Sequence, residues 1–309
     1  MYKLIAIDLD GTMLNKYGII TQNTKDVIKK VQEKGIEVII ASGRTINSVK
    51  NFSKEINSEN YFISGNGAIT YDIKNDKILY ENVLSKNKAQ QVIKICEENS
   101  IYYSVYTENG IITKNLNYNT LYYYKENLNK EEKEKTHINI VQDVYNYIEE
   151  KDEKILKIMI CDNNQLVFKS ILKKIKEITD IEILDVSHMS RKLIKQGTEE
   201  IALEYFYTEI TSKNVDKWNA LEMLIEMLNI TKDEVITIGD NANDVKMIQN
   251  AGLGVAMGES APYIKEQANI VTESNDNDGV AKILQQYLLN NNVSETTWKS
   301  ILQQYSFGR

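Results

Sequence analysis

Lys3-Leu4-Ile5-Ala6-Ile7-Asp8-Leu9-Asp10-Gly11-Thr12 sets an apolar run directly against two carboxylates, a glycine and a threonine. Such a short, near-continuous apolar run reads as a parallel strand buried on both faces. Side chains at i and i+2 of an extended chain share a face. Asp8 and Asp10 are therefore expected in one crevice at the strand's carboxyl end, where open α/β sheets bind ligands. Two carboxylates so close cannot both ionise cheaply: either a cation joins them, or one keeps its proton and serves as an acid. Gly11 lets the backbone turn, and Thr12 can hydrogen-bond what the turn encloses. The plainer alternative is an acidic turn after a strand.

Working outward, residues 22–34 carry Val27, Ile28 and Val31 at helical spacing, with Thr21 or Asn23 as cap and Gly35 as stop. Residues 36–40 form the next strand, parallel and adjacent to the first, and it ends in Ala41-Ser42-Gly43-Arg44. The Ser42 hydroxyl and the Gly43 amide, opening a helix, are donors that suit a phosphate. Arg44 either adds charge there or caps the surface. Strand 61–63 leads into Ser64-Gly65-Asn66-Gly67-Ala68, which is either a tight turn with positive φ or a loop that offers Asn66 to a substrate.

The texture changes near residue 84. Helix 86–99, strands 101–106 and 110–114, a Tyr-, Asn-, Lys- and Glu-rich stretch, strand 155–161, helix 166–178, strand 181–186 and extended chain over 201–210 describe an inserted α+β module. Its run Tyr122-Tyr123-Tyr124 either stacks on a substrate or covers a small sheet. The first style of sequence resumes at 209. Asp216 caps helix 214–227 and puts Lys217 in its first turn, where the helix dipole disfavours a cation; such a lysine is either a solvated surface group or a phosphate ligand, and by itself it reads as the first.

Strand 235–238 ends in Gly239-Asp240-Asn241-Ala242-Asn243-Asp244. If this strand end lies beside the first, Asp8, Asp10, Asp240 and Asp244 converge and require a cation, and oxygen-only ligands point to magnesium. An EF-hand-type calcium loop would need a closing glutamate and a spacing that the segment lacks. Gly252 to Gly258 fails as a dinucleotide fingerprint, because it precedes a strand and its third glycine is misplaced, and no GxxxxGK[ST] loop exists. A short strand over 268–272, a helix over 279–289 and a weakly amphipathic tail with Trp298, Ile301 and Leu302 complete the chain.

The 309 residues suit about two domains. A net charge of −7, with no block dominated by Lys and Arg, argues against nucleic-acid binding, so an anionic substrate needs a local positive cluster or a metal. Cys96 and Cys161 stand apart in apolar patterns and read as core thiols of a reducing compartment. With no leader and no membrane-length apolar run, the expected location is the cytoplasm. His137 and His188 lie in unrelated contexts and read as bystanders.

Together these motifs resemble the haloacid dehalogenase-like superfamily, specifically its Cof-type phosphatases with a type IIB cap, over residues 1 to about 289. Asp8-Leu9-Asp10-Gly11-Thr12 resembles its first motif, Ala41-Ser42-Gly43-Arg44 the second, Lys217 the third, and Gly239-Asp240-Asn241-Ala242-Asn243-Asp244 the fourth. Asp8 and Ser42 stand 34 positions apart, too few for an inserted cap, whereas 175 positions separate Ser42 from Lys217. The third motif departs from the family in having Ser212, Asn214 and Trp218 where proline and glycines are common, although Asn tolerates the left-handed conformation a glycine supplies.

The resemblance implies an α/β fold, a Rossmann-like parallel-sheet core (1–83 and 209–289) with an α+β cap (84–208) and a tail (290–309). It further implies a phosphatase of small phosphate monoesters, sugar phosphates foremost, with pyridoxal phosphate or flavin mononucleotide as other fits. Asp8 would be the nucleophile and Asp10 the acid and base. Ser42, Gly43, Lys217 and Asn243 would hold the phosphate. Mg²⁺ would bind Asp8, the Asp10 carbonyl and Asp240, with Asp244 in support, and Arg44 and Asn66 are candidate substrate contacts. A phosphotransferase or mutase using the same phospho-aspartate, and a non-hydrolytic regulator that binds phosphometabolites, are the alternatives. No membrane or nucleic-acid partner is expected, and no protein partner is indicated.

Overall fold

The computed structural model describes residues 1–128, 130–132, 135–184, 190–196 and 199–289. The amphipathic tail and His188 lie outside them. The chain opens with β1 (Leu4–Ile7), α1 (Gln22–Gln32), β2 (Glu37–Ala41), α2 (Ile46–Glu55), β3 (Tyr61–Ser64), β4 (Ile69–Asp72) and β5 (Lys77–Glu81). There follow α3 (Lys86–Glu98), β6 (Tyr102–Thr107), β7 (Ile111–Thr113), α4 (Tyr118–Asn127), β8 (Ile138–Ile140), α5 (Val144–Glu150), β9 (Ile155–Asp162), α6 (Gln165–Ile175), β10 (Ile181–Ile183), β11 (Ser190–Gln196) and β12 (Glu199–Ser212). The last stretch holds α7 (Lys217–Met227), β13 (Val235–Gly239), α8 (Val245–Asn250), β14 (Leu253–Ala256), α9 (Pro262–Lys265), β15 (Ile270–Val271) and α10 (Gly279–Leu284).

Two compact units result. One holds Met1–Ser42, Ser53–Asn60 and the chain from Leu221; the other holds Gly43–Phe52 and Tyr61–Ala220. The second therefore contains the expected cap span 84–208 and also 43–52, 61–83 and 209–220, which the sequence assigned to the core. Residue 209 falls inside the continuous strand β12, so the main chain has no break at that point.

In the first unit the strands run β15-β14-β13-β1-β2, every pair parallel. Leu4, Ile5, Ala6 and Ile7 are all fully buried, as an apolar run covered on both faces must be. Thr21 caps α1 by accepting the Thr24 amide at 3.1 Å, and Val27, Ile28 and Val31 form its buried stripe. The helix ends at Gln32, and Gly35 turns the chain at φ +78°, a conformation open to glycine at no steric cost.

In the second unit β3, β4 and β5 form an antiparallel meander, and a separate sheet has the order β10-β12-β9-β6-β7-β8. One face of that sheet packs Val105, Ile158, Ile160 and Ile210 against Val92, Ile93, Ile148, Phe168 and Ile171 from α3, α5 and α6. On the other face lie Tyr106, Tyr123, Met159, Cys161 and Tyr205, with Tyr102, Tyr118, Tyr122 and Tyr207 at the margins. Covering a sheet is thus what Tyr122 and Tyr123 do, while Tyr124 is exposed. Strand β11, which pairs with β12 in a hairpin, was not expected; five of its seven residues, Ser-Arg-Lys-Leu-Ile-Lys-Gln, are polar and hide the strand pattern. Cys96 and Cys161 are buried, Cys161 with its thiol donating to Asn119 Oδ1 at 3.5 Å, and burial pushes the Cys96 thiol well above its ordinary range, so it stays a protonated core group.

Candidate active site

β1 and β13 lie side by side in register, Ile7 opposite Ile238, and the Asp8 amide extends the ladder by donating to the Ile238 carbonyl at 3.0 Å. This juxtaposition meets the condition set by the sequence. One oxygen each from Asp8, Asp240 and Asp244 lies within 4.8 Å of the others. Asp8 is buried, and Leu9, which opens the turn that follows it, is packed in the core. Asp10 is half-buried and stands outside this group of three carboxylates.

The acidic loop is built around Asp244. Its fully buried Oδ2 accepts the amides of Asp240 at 3.0 Å and Asn241 at 3.1 Å, which fixes the turn that presents Asp240. Thr12 Oγ1 donates to Asp240 Oδ1 at 2.8 Å, tying the two strand ends together. Gly11 has φ +86°, and a Cβ there would stand 2.4 Å from Asp240 Oδ2, so both its backbone and its contact demand glycine. A Cβ on Gly239 would stand 2.4 Å from the Asp244 Cβ. Gly239→Ala should therefore push Asp244 off its two amides and cost about 1–3 kcal/mol of stability. Chemical denaturation checks the loss, and a magnesium titration should show weaker apparent metal affinity in the same variant.

Oxygen donors alone, with like charges this close, are the set that a hard divalent cation satisfies. The residues present fit magnesium. Among the described residues, these are the only three acidic, His or Cys side chains that group this way. Ser42 follows directly on β2 and is buried, and the parallel β1–β2 register carries it to the same sheet edge as Asp8. Asn243 is half-buried on the single 3₁₀ turn Ala242–Asp244.

The other expected site residues belong to the second unit. Lys217 is fully buried, which overturns the reading of a solvated surface lysine. It opens α7, whose cap is Asp216: Oδ1 accepts the Asn219 amide at 2.8 Å. Asn214 adopts φ +64°, the left-handed geometry expected where the family commonly has glycine, and Trp218 is buried. Gly65, Asn66 and Gly67 have φ +61°, +60° and +100°, and a Cβ on Gly67 would stand 2.1 Å from the Asp216 carbonyl, so this turn packs against the start of α7.

Arg44 is buried too and is no surface cap. Its guanidinium pairs with Glu126 at 3.3 Å, donates to Ser48 Oγ at 3.3 Å, and lies over the rings of Phe52 and Tyr123 at 5.2 and 5.6 Å. Asn66 is buried, and its amide donates to the Glu209 carboxylate. The same carboxylate accepts Lys157 Nζ through Oε1 at 2.6 Å. Sequence reasoning missed Lys157, although a lone cation inside the apolar strand 155–161 was the available signal, and it used residue 209 only as the point where the first style of sequence resumes.

A family model described as haloacid dehalogenase-like hydrolase matches residues 5–284. The phosphatase YwpJ of Bacillus subtilis is 27% identical, over 93% of this chain and 100% of its own. The 5-amino-6-(5-phospho-D-ribitylamino)uracil phosphatase YcsE of the same organism is 25% identical, over 93% of this chain and 96% of its own. Among solved structures, the subclass IIB sugar phosphatase BT4131 superposes with a TM-score of 0.72 over 92% of this chain and 98% of its own, at 20% identity, a likeness of fold. With that match running from β1 to α10 and the acids gathered at the ends of β1 and β13, the chain belongs to the haloacid dehalogenase-like hydrolases.

Proposed function

We propose that this protein is a magnesium-dependent phosphatase of small phosphate monoesters that works through a phosphorylated Asp8. The convergence of Asp8, Asp240 and Asp244 at adjoining strand ends carries the reading. An Asp8 oxygen attacks phosphorus as the ester P–O bond breaks, and Asp10 gives its proton to the departing alcohol. Water then attacks the acyl phosphate, Asp10 takes a proton from it, and phosphate leaves with Asp8 restored. Ser42, the Gly43 amide, Lys217 and Asn243 hold the phosphate oxygens and balance the charge that develops on them. A lysine with no solvent exposure, in the first turn of a helix, supports that role, since an anion offsets its unfavourable placement.

Asp8, Asp240 and the main-chain carbonyl of Asp10 would hold magnesium, with Asp244 fixing the Asp240 turn. When bound, the ion offsets the negative charge of the phosphoryl group and lets an anionic nucleophile approach it. Sugar and polyol phosphates are the preferred substrates on this reading. It is supported by the phospho-ribityl compound in the name of one relative and the sugar phosphatase among structures of like fold. The buried thiols suit a reducing cytoplasm, and among the described residues no helix is long and apolar enough to cross a membrane.

The test is phosphate release from p-nitrophenyl phosphate. Turnover should stop when EDTA removes divalent ions and return on adding Mg²⁺. Turnover that persists in excess EDTA would contradict the metal assignment.

A further inference from the structure

The face of the β9 sheet turned away from α3, α5 and α6, on which the α4 tyrosines pack, holds a charged pair that the mechanism above does not use. Lys157 stands opposite Tyr106 in the β6–β9 register, and Glu209 lies on the neighbouring strand opposite Met159. Lys157 is 3% exposed and Glu209 7%. Replacing such a pair by apolar side chains of like volume is often neutral or stabilising, so packing alone gives no reason for charges here.

The pair also has hydrogen-bonding capacity to spare. An ammonium carries three donors. Glu209 Oε1 takes one at 2.6 Å, and Tyr106 offers only its ring, 4.8 Å from Nζ. Each Glu209 oxygen receives one donor, from Lys157 and from Asn66, and keeps a further lone pair. The pair reaches the loop to which the proposed function assigns phosphate binding: a Cβ on Gly43 would stand 2.6 Å from Asn66 Oδ1 and 3.0 Å from Lys157 Nζ.

We propose that Lys157 and Glu209, steadied by Asn66, form the subsite that reads the hydroxyl groups of a polyol leaving group. A hydroxyl both donates and accepts, and side by side the pair supplies one acceptor and one donor. The pair is neutral overall, so a neutral polyol leaves it balanced. A carboxylated leaving group would set its charge against Glu209, and an amine would set its charge against Lys157. This assignment rests on the phosphatase reading above.

The test compares kcat/KM of the magnesium-loaded full chain for sorbitol 6-phosphate, phosphoglycolate and p-nitrophenyl phosphate, in wild type and in Lys157→Met/Glu209→Gln. The double substitution leaves no unpaired buried charge, and a thermal melt checks that it folds. The expected result is a fall of about 10–100-fold in the ratio of polyol to aryl ester kcat/KM, mostly through KM. Glu209→Asp, which keeps both charges but withdraws the carboxylate by one methylene, should move the ratio the same way and serves if the double variant does not fold. An unchanged ratio, a loss confined to phosphoglycolate, or wild-type turnover of the aryl ester with no turnover of sorbitol 6-phosphate would overturn the subsite while the phosphatase reading stands. No turnover of any ester by wild type would overturn that reading and the subsite with it.

Discussion

Asp8→Asn is expected to lower kcat on any ester by at least about 10⁴-fold, the scale on which losing a nucleophile acts when the reacting groups work as a unit. The amide keeps the shape of the side chain but cannot attack phosphorus. Because Asp8 is buried within 4.8 Å of Asp240 and Asp244, the substitution also removes one of three clustered negative charges. The metal-free variant should therefore melt at or above the wild-type temperature. The two measurements belong together: activity lost with stability kept identifies a chemical role, whereas both lost together would indicate that Asp8 only supports the fold. A variant that turns over as fast as wild type would exclude the phospho-aspartate.

Lys217→Met is expected to lower kcat/KM by about 10²–10³-fold, the range seen when one preorganised donor to a developing oxyanion is removed. Methionine fills nearly the volume of the aliphatic stem, so the packing at the start of α7 is preserved and charge is what is lost. Lys217 has no solvent exposure, so a thermal melt run beside the kinetics checks that the methionine variant keeps its fold. A loss of less than tenfold, with reduced stability, would place Lys217 among the structural residues.

Much of this was legible because strand ends are written locally. The apolar runs before Asp8 and Asp240 mark buried parallel strands, and the parallel β1–β13 pairing brings their acids together. Asn214 was readable in the same way, since few residues other than glycine tolerate φ +64°. What escaped depends on partners far off in sequence. The burial of Arg44 rests on Glu126, 82 residues away, and that of Lys157 on Glu209, 52 residues away across the β9–β12 register. Taken without the resemblance, Lys217 reads as a surface group because helix-dipole logic alone favours solvent, and the burial that decides its environment comes from tertiary packing. The segment Gly43–Phe52 belongs to the second unit although it follows β2 directly, and no shift of composition marks that change.

The most direct test of the central claim is acid quenching of the enzyme during steady turnover with excess substrate and Mg²⁺, followed by peptide mass mapping. The account predicts one added phosphoryl group on the peptide that contains Asp8, removable by hydroxylamine as an acyl phosphate is, and absent from Asp8→Asn. Rapid turnover with no label on that peptide, or label on a different residue, would contradict it.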